Sequence, residues 1–466
     1  MTLSFKLYVT VFILLYKCVA EAMPLRFEEG SVVSDSQVEH FLDTVCAPAF
    51  TILGNDLRSR VRFHLVNSEA VNAFATKNGN IFINTGVFLM ADSPEEVIGV
   101  IFHELGHVAC DHVTKAMDLM KSLEMRSVVF RVLAGIAAGM TALTYKDGMG
   151  TALSGFLGGT SLIDLTTLTE MMHFSRSQEG AADQFALNVL KKLHWSINGL
   201  AIFMEKMVRT SGVNHVPLYL RTHPCSHDRL SSIQDAQKNL GPAQTLDREI
   251  YQEFFKIKAK LLACTGIQNI SSLKMFRHRL VKVPDTYHCF GESIFLHRKG
   301  KFQHALEALD RFEKIHKKDA FTCELRAQIL FENGKLSQAL KFIHAALKMR
   351  PKDSNMKTYA AIIALDTPFR EQWKRSATLL EGAVFGTQKD PQLWYWLGVA
   401  LGKLNRIGEM HVAMAEYALS KGDIQEAKRH TKLAIDRLKN KVNKYFIRAK
   451  DLQQVLKNIT PVKAYD

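Results

Sequence analysis

The spacing of apolar and polar residues predicts mixed helices and strands near the amino terminus. Apolar residues recur at helical spacing over residues 35–53, and residues 60–68 (RVRFHLVNS) alternate as in a half-buried strand. Within residues 71–90, the turn residues Asn78-Gly79-Asn80 separate two strand-like pieces. This arrangement predicts a hairpin or a strand–turn–strand unit.

Longer helical patterns follow the predicted hairpin. Ser93 and Pro94, with two acids after them, are typical of a helix start. Residues 128–163 are apolar and rich in small residues, but Lys146-Asp147 interrupts them, and neither half reaches the roughly 18 residues of a transmembrane candidate. We expect two packed or interfacial helices there, with contact to a membrane surface as the alternative. Another helix is predicted over residues 177–193.

The carboxy-terminal half contains an internal repeat. After a turn-rich linker at residues 238–247, the phrase GKFQHAL from Gly300 returns as GKLSQAL from Gly334, one 34-residue period later. That period is typical of the tetratricopeptide (TPR) helix–turn–helix repeat, in which glycine permits the tight turn and small residues let paired helices approach. Looser copies begin at Trp394 and Lys421. Stacked repeats form a concave surface that binds peptides or protein elements.

Composition and charge favour a folded, exported protein. The 466 residues are 47% hydrophobic and 23% charged, so the chain can bury more than one core. Residues 1–22 combine one early lysine, an apolar stretch and the ending Ala20-Glu21-Ala22, which predicts a cleaved signal peptide, with a retained anchor as the alternative. Export argues against nucleic acid, so the net charge of +14 suits an anionic membrane surface or an acidic partner. The scattered cysteines leave both disulfides and buried free thiols open.

One predicted helix carries ionisable residues inside an apolar run, residues 97–112 (VIGVIFHELGHVACDH). His103 and His107 are one helical turn apart, so both side chains leave the same face and can bind one metal ion. Glu104 can take a proton from bound water and later deliver it to a leaving amine. Burial of such groups without partners is costly, and metal coordination compensates for that cost. The motif therefore predicts a hydrolase site with one Zn²⁺ per chain.

A catalytic zinc site needs a further ligand, because such an ion usually has three protein ligands plus water. The metzincin class is excluded, since its pattern requires glycine where Cys110 stands. Glu179, at the start of a later predicted helix, is the better candidate, and Asp183, one turn on, is expected to accept a hydrogen bond from a ligand histidine. His112 is expected to lie well round the helix from His107, as a packing or surface residue.

These motifs together resemble the gluzincin-type HExxH metallopeptidases with a downstream ExxAD glutamate, and among them the BepA-like periplasmic proteases with a TPR array. The matching segments are HELGHVACDH from His103, EGAAD from Glu179, NAFATKNGNIFINTGVF from Asn72 and THPCSHDR from Thr222. The resemblance implies that His103, His107 and Glu179 bind zinc and that Glu104 is the catalytic base.

The resemblance implies two more sets of site residues. In that group, a loop histidine upstream of an arginine can approach the zinc, and His223 and Arg229 match this pair. His223 then has three interpretations: a latch that keeps the enzyme latent, a transition-state stabiliser, or a surface residue. Substrates of such enzymes bind as an added strand. The expected substrate-binding edge strand comprises Asn72, Ala73, Phe74 and Ala75.

The expected fold is α+β. It comprises a signal peptide at residues 1–22, a mainly helical zinc metallopeptidase domain with a small sheet at 23–240, a helical linker at 241–290 and an all-α TPR solenoid at 291–466. By resemblance, the expected function is periplasmic quality control of outer-membrane protein assembly. The expected substrates are unfolded or misassembled proteins, and the expected partner of the TPR face is the assembly machinery. The alternative is a TPR chaperone or adaptor with a latent or silenced zinc site.

Overall fold

The computed structural model describes residues 30–114, 176–210, 217–225, 227–238, 243–386, 391–439 and 443–458. The described residues up to Lys318 form one compact unit, and those from Asp319 onward form a second. Helices and strands are numbered below along the described residues. The predicted signal peptide and the predicted helices at residues 128–163 lie outside this part of the chain.

A four-stranded sheet lies in the first unit, with the strand order β1-β2-β4-β3. The strands are β1 (Val32–Val33), β2 (Arg62–Val66), β3 (Ala73–Ala75) and β4 (Asn80–Asn84). β2 pairs with β4 in parallel, whereas β3 pairs with β4 as an antiparallel hairpin. Gly79 in the hairpin turn has a φ of 75°, a conformation that side chains other than glycine rarely adopt. The predicted hairpin is confirmed, and β3 is the edge strand on this side of the sheet.

Twelve α-helices of the first unit are described, with three short 3-10 helices at Ile267–Asn269, Leu280–Lys282 and Asp285–Tyr287. They are α1 (Ser36–Leu53), α2 (Asn55–Arg60), α3 (Thr85–Met90), α4 (Pro94–Ala109), α5 (Arg176–Lys192), α6 (Asn198–Thr210), α7 (Leu218–Thr222), α8 (His227–Lys238), α9 (Arg248–Cys264), α10 (Leu273–Arg279), α11 (His288–Arg298) and α12 (Phe302–Ile315). The helices predicted at residues 35–53, from Ser93 and at 177–193 correspond to α1, α4 and α5.

Helix α4 runs through the centre of the first unit. It packs against α5, α6 and β3, and its apolar side chains belong to a core that also includes residues of α1, β4 and α9. Val97, Ile101 and Leu105 have no exposed surface. Burial of each such side chain is worth about 1.5–3 kcal/mol, so the core holds α4 in place against the sheet.

The second unit is entirely helical in its described residues. Its helices are α13 (Ala320–Glu332), α14 (Leu336–Met349), α15 (Ser354–Leu365), α16 (Arg370–Val384), α17 (Pro391–Lys403), α18 (Ile407–Ser420), α19 (Ile424–Leu438) and α20 (Lys444–Asn458). Each of these helices packs against the next one in the chain. The expected α+β fold, with a solenoid-like helical region after it, is confirmed.

The repeated sequence phrases form the same turn wherever they occur. Gly300 and Gly334 have φ values of 70° and 73°, and the looser copies place Asn405 and Gly422 at 61° and 75°. The helix pair around Gly300, α11 and α12, belongs to the first unit. The TPR assignment and the predicted boundaries at residues 22, 240 and 290 stay predictions.

Two further expectations concern cysteines and membranes. Six cysteines, Cys46, Cys110, Cys225, Cys264, Cys289 and Cys323, are free thiols. Within the described ranges, no helix combines the length and the apolar character that crossing a membrane requires.

Candidate active site

Helix α4 supplies three side chains of the site. Ser93 stands at its N-cap position and Pro94 in its first turn, so the helix begins where the sequence predicts. His103, Glu104 and His107 all have no exposed surface. Their helical spacing places both imidazoles on one face of α4, with the glutamate beside them.

Helix α5 supplies the carboxylates. Glu179 and Asp183 are one turn apart on this helix, and both are buried. α5 can come close to α4 because Gly106 has no side chain: a Cβ there would lie 2.9 Å from Cα of Ala182. The prediction that Glu179 joins His103 and His107 therefore has a steric basis. Glycine on one helix and alanine on the other let the carboxylate of Glu179 reach the two imidazoles.

Four side chains direct donor atoms at one point. The ligand atoms of His103, His107, Glu179 and His223 all lie within 4.8 Å of one another. Nε2 of His103 lies 3.1 Å from Nε2 of His107, 3.3 Å from Nδ1 of His223 and 3.5 Å from Oε2 of Glu179. Oε1 of Glu179 lies 3.3 Å from Nε2 of His107 and 3.1 Å from Nδ1 of His223.

These separations are of the size that a zinc site requires. Zinc–nitrogen bonds of about 2.0–2.1 Å place the corners of a tetrahedron roughly 3.3 Å apart. The five distances given above, which involve both carboxylate oxygens of Glu179, are 3.1–3.5 Å and bracket that value. Nitrogen and carboxylate oxygen are ordinary ligands of Zn²⁺, so both the chemistry and the spacing of these residues fit that ion.

A buried ion-pair network holds the outer side of the site. Oδ1 of Asp183 lies 2.8 Å from Nδ1 of His103, as expected of a residue that orients a ligand. Arg229 on α8 donates to both carboxylate oxygens of Asp183, at 2.7 and 2.9 Å, and lies 2.6 Å from Oε2 of Glu179. Arg229 therefore clamps the two carboxylates of α5.

The pKa values of the two histidines on α4 differ sharply from each other. Burial lowers the pKa of His107 to about 3, which favours the neutral ring that a metal requires. Burial opposes a charge on His103 as well, but the hydrogen bonds that it donates to the carboxylates of Asp183 and Glu179 raise its pKa to about 10. His103 thus holds a proton at neutral pH that metal binding must displace.

The carboxylates also titrate differently from one another. Burial raises the pKa of Glu104 above its ordinary value, although His223 and His103 act in the opposite direction. Burial would also raise the pKa of Glu179, but His223, His103 and His107 hold it far below the usual range. A glutamate with a raised pKa beside an ionised one suits a proton carrier next to a metal ligand.

His223 is not a surface residue, because it has no exposed surface. It lies in the segment of residues 217–225, called here the His223 segment. Its Nδ1 is one of the four converging atoms, and its Nε2 lies 3.4 Å from Oε1 of Glu104. The ring of Tyr219 stacks on that of His223, with 4.6 Å between centroids. The imidazole of His223 therefore lies between Glu104 and the point where the donor atoms converge.

The predicted substrate strand borders the same site. Asn72, Ala73, Phe74 and Ala75 are all buried, and α4 packs against β3. Just before β3, the carbonyl of Val71 accepts a hydrogen bond of 3.2 Å from the amide of Tyr219. The His223 segment thus contacts both the metal-binding residues and the backbone next to the edge strand.

The expectation for His112 is wrong in its placement. His112 is buried, and its Nδ1 lies 3.1 Å from Nδ1 of His107. The helix ends at Ala109, so the helical rotation that separates the two residues in the sequence argument does not apply. Tyr219 also lies in the site, although the sequence analysis did not name it and no motif indicates its position.

Gly106→Ala tests the close approach of α4 and α5. The added methyl group is expected to push α5 outward, to destabilise the protein by about 1–3 kcal/mol and to weaken metal binding. Gly180→Ala is the matched control, because a Cβ at this α5 position meets nothing within 4 Å. Urea denaturation and titration with a zinc chelator provide the two measurements. Equal behaviour of the two variants would contradict the steric argument.

Comparison with known proteins identifies the protein family to which the site belongs. Residues 45–237 match the model of peptidase family M48. Metalloprotease LoiP of Escherichia coli (strain K12) is 30% identical over 225 residues, which cover 44% of this chain and 81% of LoiP. The region of similarity contains α4, α5, the His223 segment and α8, the elements that supply the site.

Longer matches extend into the helical second unit. The beta-barrel assembly-enhancing protease of Yersinia pestis is 24% identical over 377 residues, 80% of this chain and 74% of the relative. The protein of the same name from Escherichia coli (strain K12) is 23% identical over 372 residues, 78% of this chain and 72% of the relative. On its site and on these similarities, the chain belongs to peptidase family M48 and is a zinc metalloendopeptidase.

Proposed function

We propose that the protein is a periplasmic endopeptidase that degrades misassembled or stalled outer-membrane β-barrel proteins. One observation carries the proposal: four buried side chains bring donor atoms within 4.8 Å of one another, with the carboxylate of Glu104 beside them. The similarity to two proteases named for β-barrel assembly, over 80% and 78% of this chain, supports the choice of substrate.

The site residues have three different roles in hydrolysis: metal binding, proton transfer and orientation of the ligands. His103, His107 and Glu179 would hold the zinc ion, which when bound makes the scissile carbonyl more electrophilic. Glu104 takes the proton of the attacking water and passes it to the leaving amine; its raised pKa suits both steps. Asp183 and Arg229 orient His103 and Glu179, so that the donor atoms keep their positions.

His223 acts as a latch in this proposal. A water molecule that attacks the substrate needs the space between Glu104 and the metal. The ring of His223 takes up that space, with one nitrogen toward the metal position and the other 3.4 Å from Glu104. Catalysis therefore requires the His223 segment to move outward, and the described arrangement corresponds to a latent enzyme.

Substrate is proposed to bind as an extra strand along β3. Main-chain hydrogen bonds give such binding little dependence on sequence, which suits extended or misfolded chains. Asn72 supports this role, because the Nδ2 and Oδ1 atoms of its side-chain amide are buried without a hydrogen-bond partner among the described residues. The backbone amide of Tyr219 already donates a hydrogen bond to the carbonyl of Val71. The movement that withdraws His223 would therefore also make this carbonyl available to a substrate.

The remaining parts of the chain are assigned by the same proposal. Residues 1–22 would direct export to the periplasm, and the helical second unit would be a TPR array that binds clients or the outer-membrane assembly machinery. The repeated turns at Gly300, Gly334 and Gly422 support the repeat assignment. Peripheral contact with a membrane surface is compatible with the net charge of +14.

The substrate class can be tested with one barrel protein in two states. Purified full-length enzyme is mixed with an outer-membrane β-barrel protein, either freshly diluted from urea or already folded in detergent micelles. We expect cleavage of the unfolded form alone, loss of cleavage with a zinc chelator and recovery with added Zn²⁺. Cleavage of both forms at equal rates would contradict the proposed quality-control role.

His223→Ala tests the latch. Its removal is expected to raise the rate of casein cleavage, because the measured rate scales with the fraction of molecules in the open state. If His223 instead stabilises the transition state, the rate falls by about 100-fold or more. Arg221→Ala, in the same segment, is the control for a general disturbance and is expected to leave the rate near that of the wild type.

A chaperone or adaptor with a silenced site is the second candidate. The filled position between Glu104 and the metal favours it, because an enzyme that never releases His223 would not cleave. Protection of unfolded barrel proteins from aggregation, without cleavage by either the wild type or His223→Ala, would establish this alternative.

A further inference from the structure

His112 reaches the metal site through a break in the helix. α4 ends at Ala109, and Asp111 adopts a φ of 53°, in the left-handed region. Had the helix continued, five residues would have rotated His112 about 140° away from His107. The left-handed residue instead turns the chain back, so that the two rings meet with 5.0 Å between centroids and 74° between planes.

The contact between these rings joins their Nδ1 atoms. Nδ1 of His107 and Nδ1 of His112 are 3.1 Å apart, within hydrogen-bond distance, and His112 is buried. Nε2 of His107 points at the other donor atoms and must carry no proton when it binds a metal. The proton of a neutral His107 then lies on Nδ1, and Nδ1 of His112, 3.1 Å away, is placed to accept the hydrogen bond from it.

We propose that His112 is a positioning residue: it accepts a hydrogen bond from Nδ1 of His107 and so directs Nε2 of His107 at the metal. The inference rests on the zinc assignment of the site. Asp183 does the same for His103 at 2.8 Å, but with a carboxylate. The two ligand histidines therefore have different partners, one a carboxylate and the other an imidazole.

Two substitutions separate the hydrogen bond from the packing. His112→Phe keeps the ring volume but removes the acceptor, and it is expected to weaken zinc binding about 10–100-fold. His112→Asn loses volume, but its Oδ1 lies as many bonds from Cβ as Nδ1 of histidine, so it is expected to retain most of the affinity. Zinc affinity is measured on the full chain by competition with a chromogenic chelator. The visible spectrum of the Co²⁺ form reports the ligand geometry independently of activity.

The order of the two variants decides the result. If His112 only fills space, His112→Phe retains the affinity and His112→Asn loses it, which would overturn the proposal. His297→Phe is the control, because it replaces another buried histidine of the same unit on α11, and its zinc affinity should match that of the wild type. If the wild type binds neither Zn²⁺ nor Co²⁺, the assignment of the site to a metal fails. If the wild type binds zinc and both His112 variants bind it equally well, the inference about His112 fails while the metal assignment stands.

A second pair of variants leaves His112 intact. Asp111→Gly accepts the left-handed conformation, so the contact between His112 and His107 and the zinc affinity should persist. Asp111→Val strains that conformation, because a β-branched residue rarely takes a positive φ, and His112 should move away. Zinc affinity is then expected to fall as in His112→Phe. Equal zinc affinity of Asp111→Gly and Asp111→Val would also contradict the proposal.

Discussion

Glu104→Gln is expected to lower the rate of casein cleavage by about 100-fold to 10,000-fold while the protein still binds zinc. The amide has nearly the shape of the carboxyl group, but it cannot take a proton from water. Its volume fits a position with no exposed surface, so folding should be preserved. Cleavage is followed by fluorescence of labelled casein, and zinc content by elemental analysis of the same samples. The measurement is made in the wild-type and His223→Ala backgrounds, so that a closed latch does not hide the effect.

Glu95→Gln is the matched control for this experiment. It makes the same chemical change at the start of the same helix, α4, and should leave cleavage unchanged. Undiminished cleavage by Glu104→Gln would exclude Glu104 as the base. If neither background cleaves casein even with Glu104 present, the chaperone or adaptor interpretation replaces the enzymatic one.

Arg229→Met has the largest expected effect on stability. Arg229 pairs with Asp183 and Glu179, and all three side chains are at least 94% buried. Removal of one partner from a buried ion pair typically costs about 3–5 kcal/mol, because the remaining charge has lost both water and its partner. In the metal-free protein, the protonated ring of His103 offsets part of this loss, since its pKa is about 10.

The stability effect is measured by hydrogen exchange of α4 and α5 at increasing urea concentrations, in the presence of a chelator. This readout reports the first unit directly, whereas a global denaturation curve would combine both units. Arg209→Met is the control: the side chain of Arg209 is 78% exposed, and its ion pair with Glu205 is worth at most about 1 kcal/mol. If Arg229→Met lowers the stability of the first unit no more than Arg209→Met does, Arg229 does not clamp the carboxylates.

Residues within one helical turn of each other were the most accurately predicted. Three features follow from local spacing and local conformational preference: the start of α4 at Pro94, the shared face of His103 and His107, and the hairpin turn at Gly79. The recurrence of one phrase at Gly300 and Gly334 similarly predicted a recurrent turn. Each of these features depends on a few neighbouring residues, so the linear sequence contains the required information.

Predictions over longer distances depended on resemblance and were less complete. Glu179 was proposed as the third ligand from its place at the start of a later predicted helix, and the family motif then supported it. His223 was singled out through the family motif alone, because helical spacing does not indicate which distant side chain approaches the imidazoles of α4. His112 was misplaced because the argument extended α4 beyond Ala109, whereas the chain turns at Asp111. Tyr219 was missed, since its role depends on stacking against His223 and on the backbone of Val71.

The sequence by itself determined the metal-binding helix, the edge hairpin and the repeating helical turns, because hydrophobic periodicity and turn residues act over a few positions. Tertiary structure decided which donor atoms meet, that His223 lies between Glu104 and the metal, and that His112 contacts His107. Those contacts join residues from 5 to 120 positions apart, and they exist only because the packed core brings α4, α5 and the His223 segment together. Burial and the neighbouring charged groups together then set the pKa values of the site, since the same residues in water would keep their ordinary pKa values.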